Sequence, residues 1–424
     1  MKKNWYPLDN AAKIYPPISS KRRGGMFSLS ARLDEEIKPE ILQEAVNVLL
    51  DRFPMYKVKL KRGWFWYYLE ENNRPFNIET EDPYFLRYIG EVKNNDYLFR
   101  VMYRENIIRV SFYHSLCDGT GGLNFFKALL GEYLKLKGHK IKTEGLIINE
   151  NSPHTLGESE DTFLSAYHKP KEKSQKDKNA FKTDGTPFDS DGCGVVLGKV
   201  NIDQLKSVCK KYDATITVFL SALYMQCVYK EFIKNKKVKN KNIQLLIPVN
   251  MRKVYDSETL RNFALFARLG HDWTEEISFK ECVDICKKQL EEGLKKEKLD
   301  AIIYSNVKTE KNPLLKIMPL FIKDIAMRIA YNFVGDNLHT ANVSNLGSVQ
   351  LPESVAKHVE NITFALAPSF TCKTHLALLG YKDTLNLCFT RLFVETRLER
   401  TFFRLLSEMG VKVVVSSNFW EEKL

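Results

Sequence analysis

The sequence predicts an α/β protein made of two lobes, each with helices packed on a sheet, and a cleft between the lobes. The chain has 424 residues, which is more than one domain usually contains. In both halves, short apolar runs with the length of strands alternate with segments of helical spacing. A lysine-rich stretch without large apolar residues separates the halves and is typical of an exposed linker. We therefore expect lobes at residues 1–168 and 191–424, with a linker or crossover at 169–190.

The individual elements follow from periodicity and from helix-ending residues. In the first half we predict a helix between Pro39 and Pro54, aromatic-rich strands at 63–69, 97–103 and 107–113, and a helix from Gly119. In the second half we predict strands at 195–200, 243–249, 361–366, 385–390 and 411–415, with helices from Ile202 and at 217–232, 279–294 and 396–409. Gly410 directly follows the last helix, where glycine commonly ends helices.

The composition excludes disordered, collagen-like and disulfide-scaffold proteins and favours an anionic partner. Hydrophobic residues make up 44% and charged residues 27% of the chain, as in ordinary globular proteins. The net charge of +12 favours nucleic acid, a phosphorylated cofactor or a membrane surface, without choosing among them. The eight cysteines are scattered; Cys282 and Cys286, four residues apart on an apolar stripe, are predicted to be buried thiols rather than zinc ligands.

The sequence contains no stretch that predicts a transmembrane helix. The best candidate, residues 314–334, is interrupted by Lys316, Lys323, Asp324 and Arg328. The N-terminus has a basic start but lacks the apolar run of a signal peptide. We therefore expect a cytoplasmic protein without a transmembrane segment.

The most informative segment is His114-Ser-Leu-Cys-Asp118-Gly119. A predicted strand delivers His114 to its end, a tight turn follows, and a helix begins. An imidazole in that position suits a general base, and Asp118 would hold the shape of the loop. Gly119 lets the backbone turn sharply next to a substrate. The alternative is a half-buried histidine beside an aspartate that caps the helix, and the motif alone leaves both interpretations open.

Other catalytic classes have weaker support in the sequence. Cys117 lies inside the motif, but it is more consistent with a small buried side chain than with a nucleophile. The G-x-S-x-G elbow of serine hydrolases does not occur, nor does a Walker or Rossmann glycine loop.

The motif resembles the HxxxDG signature of the chloramphenicol-acetyltransferase-like superfamily of CoA-dependent acyltransferases. Residues 8–16, 52–54 and 63–70 resemble the N-terminal half of bacterial alcohol acetyltransferases. Residues 247–252, 260–263 and 343–347 resemble segments of their second half. The resemblance therefore spans nearly the whole chain, in the right order.

This resemblance implies two pseudo-symmetric lobes with an active-site tunnel at their interface. Acyl-CoA, with acetyl-CoA as the expected form, would be the co-substrate, with no tightly bound cofactor and no metal. A small-molecule alcohol or hydroxylated metabolite would accept the acyl group, and nucleic acid would not be a partner. His114 would take the proton of the acceptor hydroxyl as its oxygen attacks the thioester, and no covalent intermediate with the enzyme would form.

The resemblance also assigns supporting residues. In the family the motif aspartate pairs with an arginine; Arg252 matches that position best, and Arg52 is the runner-up. Asn345 or Ser344 would donate to the oxyanion, although a simple turn also explains Ser-Asn-Leu-Gly. The DFGWG motif of the plant enzymes is absent.

Three points stay open at the level of sequence. Residues 236–241, rich in lysine, could contact the phosphates of CoA or form a solvated loop. A carrier-protein-dependent, condensation-like enzyme that forms an ester or amide is the main alternative, although Tyr113 stands where condensation domains usually carry a second histidine. A non-catalytic binding scaffold is the third possibility.

Overall fold

The computed structural model describes residues 4–170, 178–188 and 192–418, with the side chains of 332–334 left out. Residues 171–177 and 189–191 of the expected linker lie outside the described residues. The division into lobes at 1–168 and 191–424 therefore stays a prediction.

The strands, in chain order, are Trp5–Pro7 (β1), Met26–Leu33 (β2), Val58–Arg62 (β3), Tyr67–Glu71 (β4), Glu79–Thr80 (β5), Phe99–Arg104 (β6), Ile107–Tyr113 (β7), Gly194–Asn201 (β8), Asn242–Asn250 (β9), Ala264–Asp272 (β10), Ala341–Val349 (β11), Val359–Leu366 (β12), Thr374–Tyr381 (β13), Thr384–Arg391 (β14) and Val413–Ser417 (β15). The α-helices are Tyr15–Ile18 (α1), Pro39–Arg52 (α2), Gly119–Leu136 (α3), Thr162–Ser165 (α4), Ile202–Lys211 (α5), Ile216–Val228 (α6), Arg252–Tyr255 (α7), Phe279–Gly293 (α8), Lys296–Lys311 (α9), Pro313–Ile317 (α10), Leu320–Val334 (α11), Glu353–Ala356 (α12) and Arg397–Glu408 (α13).

Two large sheets form the framework, and the first of them contains strands from both halves of the sequence. The first sheet has the order β12-β2-β7-β6-β5, and the second has the order β10-β9-β11-β13-β14-β8-β15. Strand β12 comes from the second half of the chain, yet it pairs antiparallel with β2, with Ile362 opposite Ala31. The first sheet is therefore completed by a strand from the second half, and β12 ties the two halves of the chain together. A small sheet, β1-β4-β3, lies beside them.

Each large sheet is covered by helices whose apolar stripes form a core. Helix α2 buries Leu42, Val46 and Leu49, the i, i+4, i+7 residues of one face. Among the described residues one helical stretch, Ile216–Ile233, is long and apolar enough to cross a membrane, and 78% of it is buried inside the protein. It comprises α6 and a following turn of π-helix, and it packs against α8 as the centre of the second core.

Most predicted elements lie within two residues of the observed ones, including α2, the β6–β7 hairpin, α3, β9 and α8. The prediction of one strand at 63–69 is correct only from Tyr67, where β4 begins, and wrong for 63–66. The backbone N–H of Gly63 donates to the carbonyl oxygen of Trp66 at 3.0 Å, so the chain reverses there between β3 and β4. Aromatic composition suggested a strand throughout, whereas Trp64, Phe65 and Trp66 occupy a turn. Cys282 and Cys286 are buried free thiols on α8, as predicted.

Candidate active site

A cavity of about 830 Å³ lies between the two large sheets. Its walls come from both halves of the sequence: Phe27 and Phe364 from the first sheet, and Pro248, Ala264 and Ser344 from the second. Helices α9 and α11 close one side. His114 lines this cavity. A cavity of this size between two sheets is where a small-molecule site is expected.

The strand pairing of β7 places His114 at the cavity. His114 follows the last residue of β7 directly, and its backbone N–H donates to the carbonyl oxygen of Gly25 at 2.9 Å. After a short turn, Asp118 caps helix α3 by accepting from the backbone N–H groups of Thr120 and Gly121 at 3.1 and 3.0 Å. The turn is therefore held at both ends, by the sheet and by the helix cap.

The carboxylate of Asp118 has further partners besides the helix cap. Arg252 donates to both of its oxygens, Nη1 to Oδ2 and Nη2 to Oδ1, each at 2.9 Å. The backbone N–H of Phe263 donates to Oδ2 at 2.8 Å. With five donors on two oxygens, this buried carboxylate is fully occupied and acts as a structural anchor. The runner-up arginine, Arg52, instead donates to Glu158 at 2.6 and 2.9 Å.

Two glycines allow the loop and α3 to approach the second half of the chain closely. A Cβ atom at Gly121 would lie 2.0 Å from the carbonyl oxygen of Leu260, which is backbone and cannot rotate away. At Gly119 it would lie 2.7 Å from Leu346 Cδ2. Any larger residue at Gly121 would therefore displace the first turn of α3 from the backbone at Leu260.

The tautomer of His114 is set by a chain of hydrogen bonds. Asn262 Nδ2 donates to Oδ2 of the buried Asp9 at 3.1 Å, and a carboxylate only accepts. The amide oxygen of Asn262 is therefore the end that faces His114 Nδ1, at 3.1 Å. Nδ1 carries the hydrogen and donates it, which leaves Nε2 with its lone pair. The imidazole is thus in the tautomer that accepts a proton at Nε2.

The packing around the ring keeps it neutral and in place. The ring of Tyr15 stacks on the imidazole, with ring centroids 4.8 Å apart and an interplanar angle of 8°. The ring of Phe27 packs against the imidazole in a T-shaped arrangement, with centroids 5.2 Å apart. Burial lowers the pKa of His114 below its usual value, while the contact with Asn262 is the largest opposing influence. Burial disfavours the imidazolium because a charge is poorly solvated there. The imidazole is therefore available as a base near neutral pH.

The structure places the two candidate oxyanion residues differently. Ser344 is buried and lines the cavity. Asn345 also lines it, but its side chain is engaged at both ends, donating to Thr217 Oγ1 at 2.9 Å and accepting from the backbone N–H of Gly347 at 2.8 Å. The bond with Gly347 is that of a turn and the bond to Thr217 reaches α6, so Ser344 is the freer of the two donors.

The other candidates lie outside the cavity wall. Cys117 is buried, and burial raises the pKa of its thiol, so it is not a thiolate. Residues 236–241 do not line the cavity either. These positions leave His114 as the base-competent side chain of the motif.

One group of potential metal ligands borders the cavity: Asp336, His339 and Cys372. The ammonium group of Lys182 contacts the backbone oxygens of Asp336 and His339 and lies 3.7 Å from Cys372 Sγ. Arg23 pairs with the Asp336 carboxylate at 3.0 Å. A burial-raised pKa of about 12 keeps the Cys372 thiol protonated. The cluster thus contains its own cations, and we do not assign a metal to it.

Three positions that orient the histidine were not identified from the sequence: Asn262, Asp9 and Tyr15. Residues 8–16 and 260–263 resemble family segments, but no sequence spacing links Asp9 with Asn262, which lie about 250 positions apart in the chain. Their roles become visible only when β2, β7 and β10 bring the segments together.

Comparisons with known proteins agree with this fold. A family model described as alcohol acetyltransferase matches residues 194–379. The trichothecene 15-O-acetyltransferase TRI3 from Fusarium sporotrichioides is similar in structure, with a TM-score of 0.59, 12% identity, and 96% of this chain and 94% of that chain covered. TRI101 of F. sporotrichioides, in a complex with coenzyme A and T-2, has a TM-score of 0.61 at 10% identity, with 97% and 99% covered. The condensation domain of the Monacolin K polyketide synthase MokA has a TM-score of 0.54 at 11% identity, with 96% of each chain covered. Comparison with curated proteins finds no match.

These matches confirm the fold class and the resemblance inferred from the sequence: the chain has the fold of the CoA-dependent acyltransferases. Within that class, its second half matches the alcohol acetyltransferase family over residues 194–379. The prediction of an acyltransferase enzyme is likewise confirmed.

Proposed function

We propose that this protein transfers an acyl group, with acetyl as the expected one, from acyl-CoA to the hydroxyl group of a small molecule, and that His114 is the general base. The observation that carries the proposal is the neutral imidazole at the cavity, whose Nδ1–H is committed to Asn262. The fold adds support, since TRI3 is an O-acetyltransferase and TRI101 was solved with coenzyme A.

The reaction requires two proton transfers, and one imidazole serves both. Nε2 takes the hydroxyl proton while the acceptor oxygen forms a bond to the thioester carbonyl carbon. The tetrahedral intermediate then collapses, the C–S bond breaks, and the imidazolium returns the proton to the departing thiolate sulfur. Substrates and products balance without any added oxidant or cofactor. We assign to Ser344, which lines the cavity, the hydrogen bond to the negative oxygen of the intermediate.

A direct assay tests the proposal. Purified protein is mixed with acetyl-CoA and a panel of primary, secondary and polyhydroxylated alcohols, and the release of free CoA thiol is followed with a thiol reagent. Alcohol-dependent thiol release, with the matching ester found by mass spectrometry, supports the proposal. Failure with acyl-CoA donors of every chain length tested would contradict it.

One alternative has a specific observation behind it. The fold is shared with condensation domains, including that of MokA, so the donor could be an acyl group on a carrier protein. The same assay distinguishes the two: a carrier-dependent enzyme would transfer from an acyl-phosphopantetheinyl carrier protein to an amine or alcohol but not from acyl-CoA.

A cytoplasmic location is also proposed, on the scattered free cysteines alone.

Asn262→Ala is expected to lower kcat by about 10²-fold, because the imidazole loses the partner that fixes its tautomer. KM should change little, since Asn262 acts through His114. The contact with Asn262 raises the pKa of His114, so its loss should also move the acidic limb of the pH–rate profile to lower pH. Measuring kcat between pH 4 and 8, at about half-unit steps, checks both. A fall in the amount of folded protein, with an unchanged pH profile, would indicate a purely structural role.

Cys117→Ala is expected to retain nearly full activity, because the thiol is buried, protonated and outside the cavity wall. Because the motif, all of it within the described residues, then offers no activated nucleophile, the acyl group should pass directly between the two bound substrates. Initial rates with both substrates varied should therefore give intersecting double-reciprocal plots. Parallel plots, together with an acylated protein in the mass spectrum, would refute direct transfer.

A further inference from the structure

Helix α11 is amphipathic in the opposite sense to a core helix. Its exposed side carries Phe321, Ile325 and Ile329 at i, i+4 and i+8, whereas Lys323 and Asp324 are buried. Phe321 is 58% and Ile325 56% exposed. Surface helices of globular proteins normally expose their charged residues. An exposed apolar stripe of this size therefore indicates a surface that contacts a membrane or another protein.

The buried polar side of α11 contacts the β3–β4 hairpin. Lys323 Nζ donates to the carbonyl oxygen of Phe65 at 2.7 Å and lies 3.6 Å from the centre of the Trp66 ring. Tyr67 Oη donates to Asp324 Oδ2 at 2.9 Å. These bonds fix the rotation of the helix, so its apolar side is held outward by the structure.

The exposed apolar surface continues beyond α11. The backbone N–H of Leu320 donates to the carbonyl oxygen of Trp64 at 2.9 Å, which joins the tip of the hairpin to the helix. Trp64 is 86% exposed. We call the combined surface the outer apolar face; its members are Trp64, Phe65, Leu314, Ile317, Phe321, Ile322, Ile325 and Ile329. On α11 itself the stripe from Phe321 to Ile329 is about 12 Å long.

The charges beside this face are predominantly positive. In the segments 61–67 and 308–331, which include and flank this face, the exposed charged residues are all cations: Lys61, Arg62, Lys308, Lys311, Lys316 and Arg328. The two acids of the same segments are not free: Asp324 is buried and pairs with Arg62 at 3.3 Å, and Glu310 pairs with Lys13. The remaining border cations are Lys61, Lys308, Lys311, Lys316 and Arg328. The chain as a whole carries +12. An apolar stripe with bulky aromatic residues and a cationic border is the pattern of a helix that lies in the interface of an anionic bilayer.

We propose that the outer apolar face docks the protein on the surface of an anionic lipid bilayer, with α11 lying in the plane of the interface. A second copy of the chain fits less well, because a two-fold contact through this face would bring its cationic borders together. The inner side of α11 lines the cavity through Lys323, Ala326 and Met327. Docking would therefore place this wall of the cavity against lipid. If the proposed function holds, on which this consequence rests, apolar alcohols would reach the cavity from the membrane.

Vesicle binding tests the docking without any assay of activity. The full-length protein is sedimented with vesicles of phosphatidylcholine alone or of phosphatidylcholine with phosphatidylglycerol, at low and high salt. We expect binding to the anionic vesicles that weakens with salt, a blue shift of tryptophan emission that is lost in Trp64→Gln, and binding at least about tenfold weaker in the double variant Phe321→Gln/Ile325→Gln.

Leu156→Gln, which removes an 88% exposed apolar residue outside this face, is the matched control and should bind as the wild type does. Circular dichroism confirms that each variant is folded, as expected for exposed positions. The proposal is overturned if the wild type does not sediment with anionic vesicles at low salt, or if the double variant binds equally well. It is also overturned if light scattering shows a wild-type dimer that the double variant converts to a monomer.

Discussion

His114→Ala is expected to lower the rate of thiol release from acyl-CoA by about 10²–10⁴-fold, the range that a positioned general base typically contributes. The reason lies in the site itself: Nε2 is the proton acceptor that the hydrogen bonds of Asn262 and Asp9 prepare. The residual rate should lose the acidic limb of its pH profile, since that limb reports the protonation of the imidazole. In the wild type the limb should lie below pH 6.5, because burial lowers the pKa of His114.

The measurement needs a control for folding, since the ring of His114 packs on Tyr15 and Phe27. His114→Gln keeps most of the volume and a polar group but cannot accept and return a proton in the same way. Both variants should melt close to the wild-type temperature and keep their affinity for CoA, measured by calorimetry. Turnover by either variant at the wild-type rate would remove His114 from the mechanism.

The regular elements were predictable from sequence because their signals are local. Pro39 and the apolar spacing that follows it define α2, and Gly410 marks the end of α13. The turn at Gly63–Trp66 was missed since its aromatic residues have high strand propensity, and contacts with α11 decide their conformation. The entry of β12 into the first sheet was equally hidden, because strand pairing between Ala31 and Ile362 has no local signature.

The site divides in the same way. His114, Asp118 and Gly119 form a contiguous motif, so spacing alone indicates a base and a helix cap. Arg252 was matched through the family resemblance, and the structure brings its guanidinium to Asp118. Asn262 gave no chemical signal in the sequence, since an asparagine is recognised as a positioning residue only when its two amide ends have identified partners.

Arg252→Ala is expected to have the largest effect on stability. It would leave the buried Asp118 carboxylate without its ion pair, which costs about 3–5 kcal/mol in the free energy of unfolding. Arg252 also donates to the backbone oxygens of Thr259 and Arg261, at 2.7 and 2.6 Å, and so holds the segment that carries Asn262. Activity should therefore fall by about 10²-fold even where the protein is folded, through misplacement of the imidazole. Urea unfolding and the thiol-release assay measure the two effects.

A double-mutant cycle separates the charge from the packing. In Arg252→Ala/Asp118→Asn the uncompensated charge is gone, so the double variant should be more stable than Arg252→Ala alone, yet it should remain nearly inactive because the segment at 259–262 is still released. Lys280→Ala removes one partner of the exposed pair Lys280–Asp284 and should cost less than about 1 kcal/mol. A buried arginine that cost no more than this surface lysine would show that the Asp118–Arg252 pair does not hold the histidine loop in place.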